Sequence, residues 1–520
     1  VTLSSVSDSD VSDARNAGRG GIAVLGAKVF FVLAGLLQQT VLPRAIGLAG
    51  YGALALVLAP ANILNNVVVA SSTQGVSRAV ARAPGAEREA FWATMRVHAP
   101  LAVAIAALFA AAAPLLAWFE GTRDILVPLA VISLVTLLYG LYAPMIGLLN
   151  GRAQFARQAG LDVTFAIVRT AGLIGVGWLF MKRGQSGVLG SALGFVLAVA
   201  CILPVAVRAI RAPRANHESL PRSPSASATS GLPRPKEYLG ELWPLAAAQL
   251  CTNAVMQVDI MLLGHFLSLG APNPGLGNEW AGVYRACQLF AFLPYQLLLS
   301  ITQILFPMVA RAKAEGDRGS VRRYVERGAR LAALACGMMV AVIVAMPSSL
   351  LAFAYSGVVA ERGGGTLRIL ALGQGAYTML AIATTVLASL GRERMAARIM
   401  LCALGGVLGG CALLTMRAGF GADQLTATAL GTSLALFLAL IVGALAVRKE
   451  AGGFLPARTI ARVLIAVAST ACAGMLVPRV GRLAAPGFAA AFGVLYLAVL
   501  LLTGELTRED AVALRSLRKP

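Results

Sequence analysis

The chain has 520 residues, of which 58% are hydrophobic and 13% charged, with 55 Gly and 23 Pro. Soluble domains are about 45–50% apolar and about 25% charged, so this composition excludes a soluble globular protein and points to an all-α polytopic membrane protein. The formal net charge of +21 invites a nucleic-acid reading, but where the charges fall along the chain removes it.

The opening stretch VTLSSVSDSDVSDARNAGRGG leads straight into an apolar run. Residues 1–20 are therefore expected to be a disordered cytoplasmic tail rather than a cleavable signal peptide. Apolar runs of about 20 residues, enough to cross about 30 Å of hydrocarbon, predict fourteen spans. They lie at 21–42, 51–74, 97–118, 125–149, 159–181, 187–207, 242–266, 280–308, 331–351, 366–389, 399–416, 425–447, 463–478 and 486–504. With the N-terminus in the cytoplasm, 32 of the 44 Lys and Arg fall in cytoplasmic segments and 8 in external ones. This bias supports fourteen spans with both termini cytoplasmic and assigns the positive charge to topology and anionic lipid.

Between spans 6 and 7, the stretch RAPRANHESLPRSPSASATSGLPRPKEYLGE is rich in Pro, Ser and Arg and lacks an apolar face. It reads as a solvated cytoplasmic linker over 211–241. The expected organisation is an N-lobe at 21–210 (spans 1–6), a C-lobe at 242–447 (spans 7–12), a terminal pair at 448–504 (spans 13–14) and a cytoplasmic tail at 505–520. Internal similarity supports two lobes. GRAQFARQ follows span 4 and GRERMAAR follows span 10; AGYGALAL opens span 2 and AGVYRACQL opens span 8; VARA recurs past each of those two spans. The matches keep their order at spacings of roughly 230–240 residues. An even number of spans separates the copies, so the repeats are parallel, related by an axis along the membrane normal.

The seven cysteines all lie in apolar runs without CxxC spacing and read as small core residues. The three histidines are scattered, so no metal site or cofactor is expected. No nucleophile–base set or phosphate-cradling Gly loop supports an enzyme.

Polar residues inside the spans gather into stripes. Span 1 carries Lys28, Gly35, Gln38 and Gln39 on one side, and span 2 carries Asn62, Asn65 and Asn66. Span 7 carries Gln249, Thr252, Asn253, Gln257 and Asp259; span 8 carries Arg285, Gln288, Gln296, Ser300 and Gln303. These are the first two spans of each repeat, which predicts one water-accessible cavity, although amides in membrane helices also serve as interhelical contacts. Four cations fall inside spans: Lys28, Arg169, Arg285 and Arg368. Asp162 precedes Arg169 by two turns, leaving a structural pairing and a ligand role both open. Asp259, within CTNAVMQVDIMLLGHF, is the acidic residue placed deep in a span. It predicts either an ion pair with Arg285 or a coupling or gating group that releases Arg285 toward an anionic substrate.

LPRAIGLAGYGALAL at the span 1–2 junction, AGVYRACQLFAFLPYQLLLSITQILFPMVARAKAEGD through span 8 and VLASLGRERMAAR after span 10 resemble polysaccharide flippases of the Wzx type. These belong to the multidrug/oligosaccharidyl-lipid/polysaccharide (MOP) exporter superfamily. The resemblance implies a monomeric transport unit in the bacterial inner membrane. Its substrate would be an undecaprenyl-pyrophosphate-linked oligosaccharide, for O-antigen or another surface polysaccharide, moved by alternating access with ion-gradient coupling. It assigns the cation role to Lys28, Arg169 and Arg285, and the lipid-tail groove to spans 13 and 14. Implied partners are the lipid-linked oligosaccharide, membrane lipids, and a polysaccharide polymerase and glycosyltransferases, with no nucleic acid. A lipid II flippase, a multidrug antiporter and a non-transporting scaffold of a polysaccharide synthase stay open as alternatives.

Overall fold

A computed structural model describes residues 8–212 and 234–506, excluding the side chains of 8–25, 27–29, 31, 297 and 299–304. Residues 1–7, the linker residues 213–233 and the tail from 507 onward lie outside the described residues, whereas residues 8–20, expected to be a disordered tail, are helical and continuous with the first span. Among the described residues the chain is entirely helical, with no strand.

The chain divides into two compact units, Val1–Gln257 and Val258–Pro520. The first holds α1 (Asp8–Ala81), α2 (Glu87–Phe119), α3 (Leu126–Gly151), α4 (Phe155–Lys182), α5 (Gly187–Arg211) and the beginning of α6 (Pro235–Gly270). The second holds the end of α6, α7 (Pro274–Ala291), α8 (Leu293–Ala314), α9 (Arg318–Ala345), α10 (Pro347–Ala354), α11 (Gly357–Ser389), α12 (Glu393–Thr415), α13 (Ala422–Ala451), α14 (Ala457–Met475) and α15 (Ala485–Leu502).

Among the described residues, twelve helices are long and apolar enough to cross a membrane, so the chain is a multi-pass membrane protein. The predicted count of fourteen differs at two places. Predicted spans 1 and 2 both lie in α1, which is split at Gly47 by a non-helical residue with φ 77°. That positive φ is strained for any residue with a Cβ, so glycine sets the break. Predicted span 8 is divided at Phe292 into α7 and α8, neither of which is among the twelve. Pro294, in the first turn of α8, has no N–H to continue the ladder of α7.

The first unit is held by close helix contacts at small residues. A Cβ on Gly172 (α4) or on Gly194 (α5) would overlap the other's carbonyl, so backbones meet where side chains are absent. The second unit repeats this device. A Cβ on Gly410 (α12) would lie 3.0 Å from the Gly431 carbonyl oxygen of α13, and one on Gly431 would lie 2.6 Å from the Gly410 carbonyl carbon. The loop entering α4 places Ala153 at φ 57°, and the loop entering α12 places Gly391 at φ 67°. Ala153 N–H donates to the Asn150 carbonyl and Gly391 N–H to the Ala388 carbonyl. The two loops therefore make the same left-handed turn, at Ala153 in one and at Gly391 in the other.

Residues 235–241, expected to belong to the solvated linker, are instead the first turns of α6, with Tyr238 buried because its ring finds a place among helices of the first unit. Tyr238 and Leu242 pack against Ala79 and Val97, and a Cβ on Gly75 would lie 2.8 Å from the Tyr238 hydroxyl. His98 bridges Ser72 (3.2 Å) and Tyr238 (2.7 Å). In the second unit, α14 and α15 pack on α9 through Ala341, Ala466, Tyr496 and Leu500. Of the cysteines, Cys287, Cys336 and Cys411 are buried as expected, whereas Cys201, Cys402 and Cys472 lie on the exposed apolar surface.

Candidate functional site

Each unit carries a polar constellation within its helices. In the first, Arg169 on α4 donates from Nε to Gln38 Oε1 on α1 at 3.3 Å. Its guanidinium lies 5.5 Å from the centre of the Phe195 ring on α5, within cation–π range. Tyr139 packs edge-on against both Phe165 and Phe195. A planar cation is thus held by an amide and an aromatic wall, and Gln38 itself is buried. Gln39 accepts a hydrogen bond from the Tyr51 hydroxyl at 2.8 Å.

The predicted amide lining separates into different roles. Asn65 is buried and accepts from Thr136 on α3 at 2.7 Å, an interhelical contact rather than a surface open to substrate. Its neighbour Asn66 donates to Asn253 at 2.7 Å, and Asn253 donates to the Gln249 carbonyl at 2.8 Å. Asn62 is half-buried and Gln257 is buried, with no partner for Gln257 Oε1 among the described residues. The side chain of Lys28 lies outside the described residues.

In the second unit, Asp259 is buried and its carboxylate collects three donors. Tyr284 Oη donates to Oδ2 at 2.8 Å, Gln288 Nε2 to Oδ1 at 3.0 Å, and the Ile260 N–H to Oδ1 at 2.8 Å. Arg285 Nη1 donates to Gln288 Oε1 at 3.0 Å. The orientation of the Gln288 amide follows from chemistry, because the carboxylate needs a donor and the guanidinium an acceptor. The direct Asp259–Arg285 ion pair considered from sequence is replaced by this relay. Tyr284 and Gln288 lie one turn apart and share the helix face that meets Asp259. Arg285, about 100° round the helix from Tyr284, is turned aside and reaches the acid through an amide. Gln296 is exposed, and the Gln303 side chain lies outside the described residues.

Tyr284 and Tyr51 are candidate-site residues that helical periodicity of polar residues does not single out. Both are fully buried, and each donates to a polar residue on the preceding helical segment: Gln39 in one unit, Asp259 in the other. Their signal lay in the paired AGYG and AGVYR segments, which was visible as a repeat but not as a hydrogen-bonding device.

Residues 41–357 match the family model described as polysaccharide biosynthesis protein. The chain belongs to that family. Among solved structures, this polysaccharide biosynthesis family member is similar to "Lipid II flippase MurJ, inward closed conformation", with 11% identity and a TM-score of 0.71, covering 94% of this chain and 100% of that one. It is also similar to an inward-facing multidrug resistance MATE family transporter of the MOP superfamily, with 16% identity, a TM-score of 0.62, and coverage of 83% and 98%. A MOP superfamily transporter from Pyrococcus furiosus, titled for the reverse polarity of its binding pocket, matches at 15% identity with a TM-score of 0.59, covering 83% and 95%. These likenesses establish the MOP transporter fold. No curated protein matches the chain in sequence.

Proposed function

We propose that this protein is a flippase that moves an undecaprenyl-pyrophosphate-linked oligosaccharide across the bacterial inner membrane by alternating access, with both termini cytoplasmic. Membership in a polysaccharide biosynthesis family on a lipid-flippase fold supports the reaction class. The observation that carries the substrate chemistry is the state of Arg285. Its described partner is the neutral Gln288 amide, while Asp259 is satisfied by Tyr284, Gln288 and a backbone N–H. An ion pair would cancel the charge; an amide orients the guanidinium and leaves the charge for a pyrophosphate. Arg169, which donates to Gln38 and lies over the Phe195 ring, is the cation of the first unit. Amides such as Gln249 and Gln257 offer the donors and acceptors a glycan requires without fixed charge. Asp259 serves the transport cycle as a coupling or gating group, since a carboxylate would repel the pyrophosphate.

The test is transport of a fluorescent undecaprenyl-pyrophosphate-linked oligosaccharide in proteoliposomes. Arg285→Gln is expected to lower the initial rate about tenfold or more, with Arg285→Lys retaining part of it. An unchanged rate in Arg285→Gln overturns the assignment, and a folded wild-type protein that transports nothing favours the synthase-scaffold reading. A second reading, a lipid II flippase, is favoured by a match spanning the full length of the lipid II flippase structure. Complementation of cells depleted of their lipid II flippase separates the two.

A further inference from the structure

The second unit contains a basic cavity that the transport site does not use. It occupies about 330 Å³ where the end of α9, the start of α10, α11, the end of α14 and the α14–α15 loop converge. Arg368 of α11 and Arg479 of the loop line it, together with the hydroxyl-bearing Ser348 and Ser349. Hydrophobic residues close its inner side, where Ala345, Met346, Ala485 and Phe492 form a buried cluster. The described hydrogen bond of Arg368 runs from Nε to the Val344 carbonyl at 3.2 Å, which fixes the side chain and leaves its terminal N–H groups available. Arg479 pairs by one nitrogen with Glu361 at 3.1 Å. That pair is exposed on both sides and so contributes little to stability.

The walls are built to hold this shape. Val480 N–H donates to Ser349 Oγ at 3.2 Å. Arg482 donates to the carbonyls of Ala352 (2.8 Å) and Tyr355 (2.7 Å), so the loop grips the other end of α10. Gly474 packs directly on the Ala345 backbone, where a Cβ would overlap the carbonyl. Met475 of the lining is exposed, and so are Leu476 next to it in the chain and Leu483 farther along the α14–α15 loop, Leu483 completely. A pair of guanidinium groups beside exposed apolar side chains, at the end of membrane-spanning helices, matches a molecule with an anionic head and an apolar tail.

We propose that this cavity binds the phosphate of an anionic membrane lipid, with the head group between Arg368 and Arg479 and the acyl chains along Met475, Leu476 and Leu483. The site shares no residue with the Arg285–Gln288–Asp259 relay, and it seats the α14–α15 loop in the membrane interface.

The full-length protein in detergent is titrated with short-chain phosphatidylglycerol, phosphatidylcholine or inorganic phosphate, and bound lipid is counted by native mass spectrometry. Phosphatidylglycerol is expected to be retained in preference to phosphatidylcholine. Arg368→Gln and Arg479→Gln are each expected to weaken its apparent affinity about tenfold. Arg417→Gln, which removes an exposed charge from the end of α12 outside the cavity, is expected to change it less than about twofold. Arg479 is exposed, so Arg479→Gln keeps the test usable if Arg368→Gln fails to fold. Equal retention of the two lipids, or undiminished affinity in Arg479→Gln, overturns the proposal. Inorganic phosphate competing as well as the lipid overturns the assignment of a lipid.

Discussion

Replacing Gln288 by Leu tests the relay in the second unit more sharply than removing either charge. Gln288 is completely buried and makes two charge-assisted hydrogen bonds, one to each ionisable side chain. Hydrogen bonds to charged groups contribute roughly 1.5–3 kcal/mol each. Two mitigations apply: Asp259 keeps its bonds from Tyr284 and the Ile260 N–H, and Arg285 is only half-buried and can recover water. The expected cost is therefore about 2–4 kcal/mol rather than the full sum. Equilibrium unfolding in mixed micelles measures it, in a cycle with Asp259→Asn. If the two residues act as one unit, the double variant is more stable than the summed single costs predict by about 1 kcal/mol or more. Costs that add within about 0.5 kcal/mol refute the coupling. Gln288→Glu offers a second discrimination. It pairs Arg285 directly and neutralises it, so transport is expected to fall even in preparations that remain folded.

Three further outcomes follow from buried groups and close packing. Glu120, just past α2, is buried with both carboxylate oxygens lacking a hydrogen-bond partner, and burial raises its pKa well above the usual range. The unfolded chain ionises first as pH rises, so this residue's stability contribution is present below about pH 4.5 and is lost as pH climbs toward the folded-state value. Glu120→Gln should therefore match wild type near pH 4 and exceed it in melting temperature at pH 7. Glu505 behaves oppositely. Burial alone would raise its pKa, but hydrogen bonds from Arg330 (2.8 Å), Arg462 (2.9 Å) and Thr459 (2.8 Å) outweigh that and lower it. Its contribution is present above the unfolded value and disappears as pH falls through the lower folded one. Glu505→Gln should destabilise the α9–α14–α15 end by about 2 kcal/mol at pH 7, with the gap closing in acid, as thermal melts across pH would read. Gly194→Ala and Gly431→Ala should each cost about 1–3 kcal/mol by forcing paired helices apart; a neutral melt for either refutes the close-contact reading.

How much of this was legible in the sequence depends on what encodes each feature. Helix positions were legible because long apolar runs must be helical in lipid, where each backbone polar group needs an internal partner. The break at Phe292 was not, because span 8 is apolar on both sides of Pro294 and hydropathy does not register a missing N–H. Sequence similarity draws the eye to Gly151 and Gly391 in the two matching loops, yet Gly151 is not among the residues with positive φ. What the two loops share is a left-handed turn, made by Ala153 in one and by Gly391 in the other, and a turn that one loop makes without glycine leaves no glycine for a sequence reading to find. Helical periodicity found polar residues but not their partners. It grouped Asn65 with Asn66, yet one bonds to Thr136 on α3 and the other to Asn253 on α6. It singled out Asp259 and Arg285 by charge, and charge alone predicts a pair. The hydroxyl and amide between them decide otherwise, and they do so because Tyr284 and Gln288 share a face that Arg285 does not. The same logic recurs in the first unit, where Tyr51 reaches Gln39 and an amide at position 38 receives Arg169. In the second unit a neutral amide thus holds the Arg285 guanidinium. For a protein whose proposed cargo is a pyrophosphate, this arrangement keeps the Arg285 charge available, because the nearby Asp259 is bonded to Tyr284, Gln288 and a backbone N–H instead.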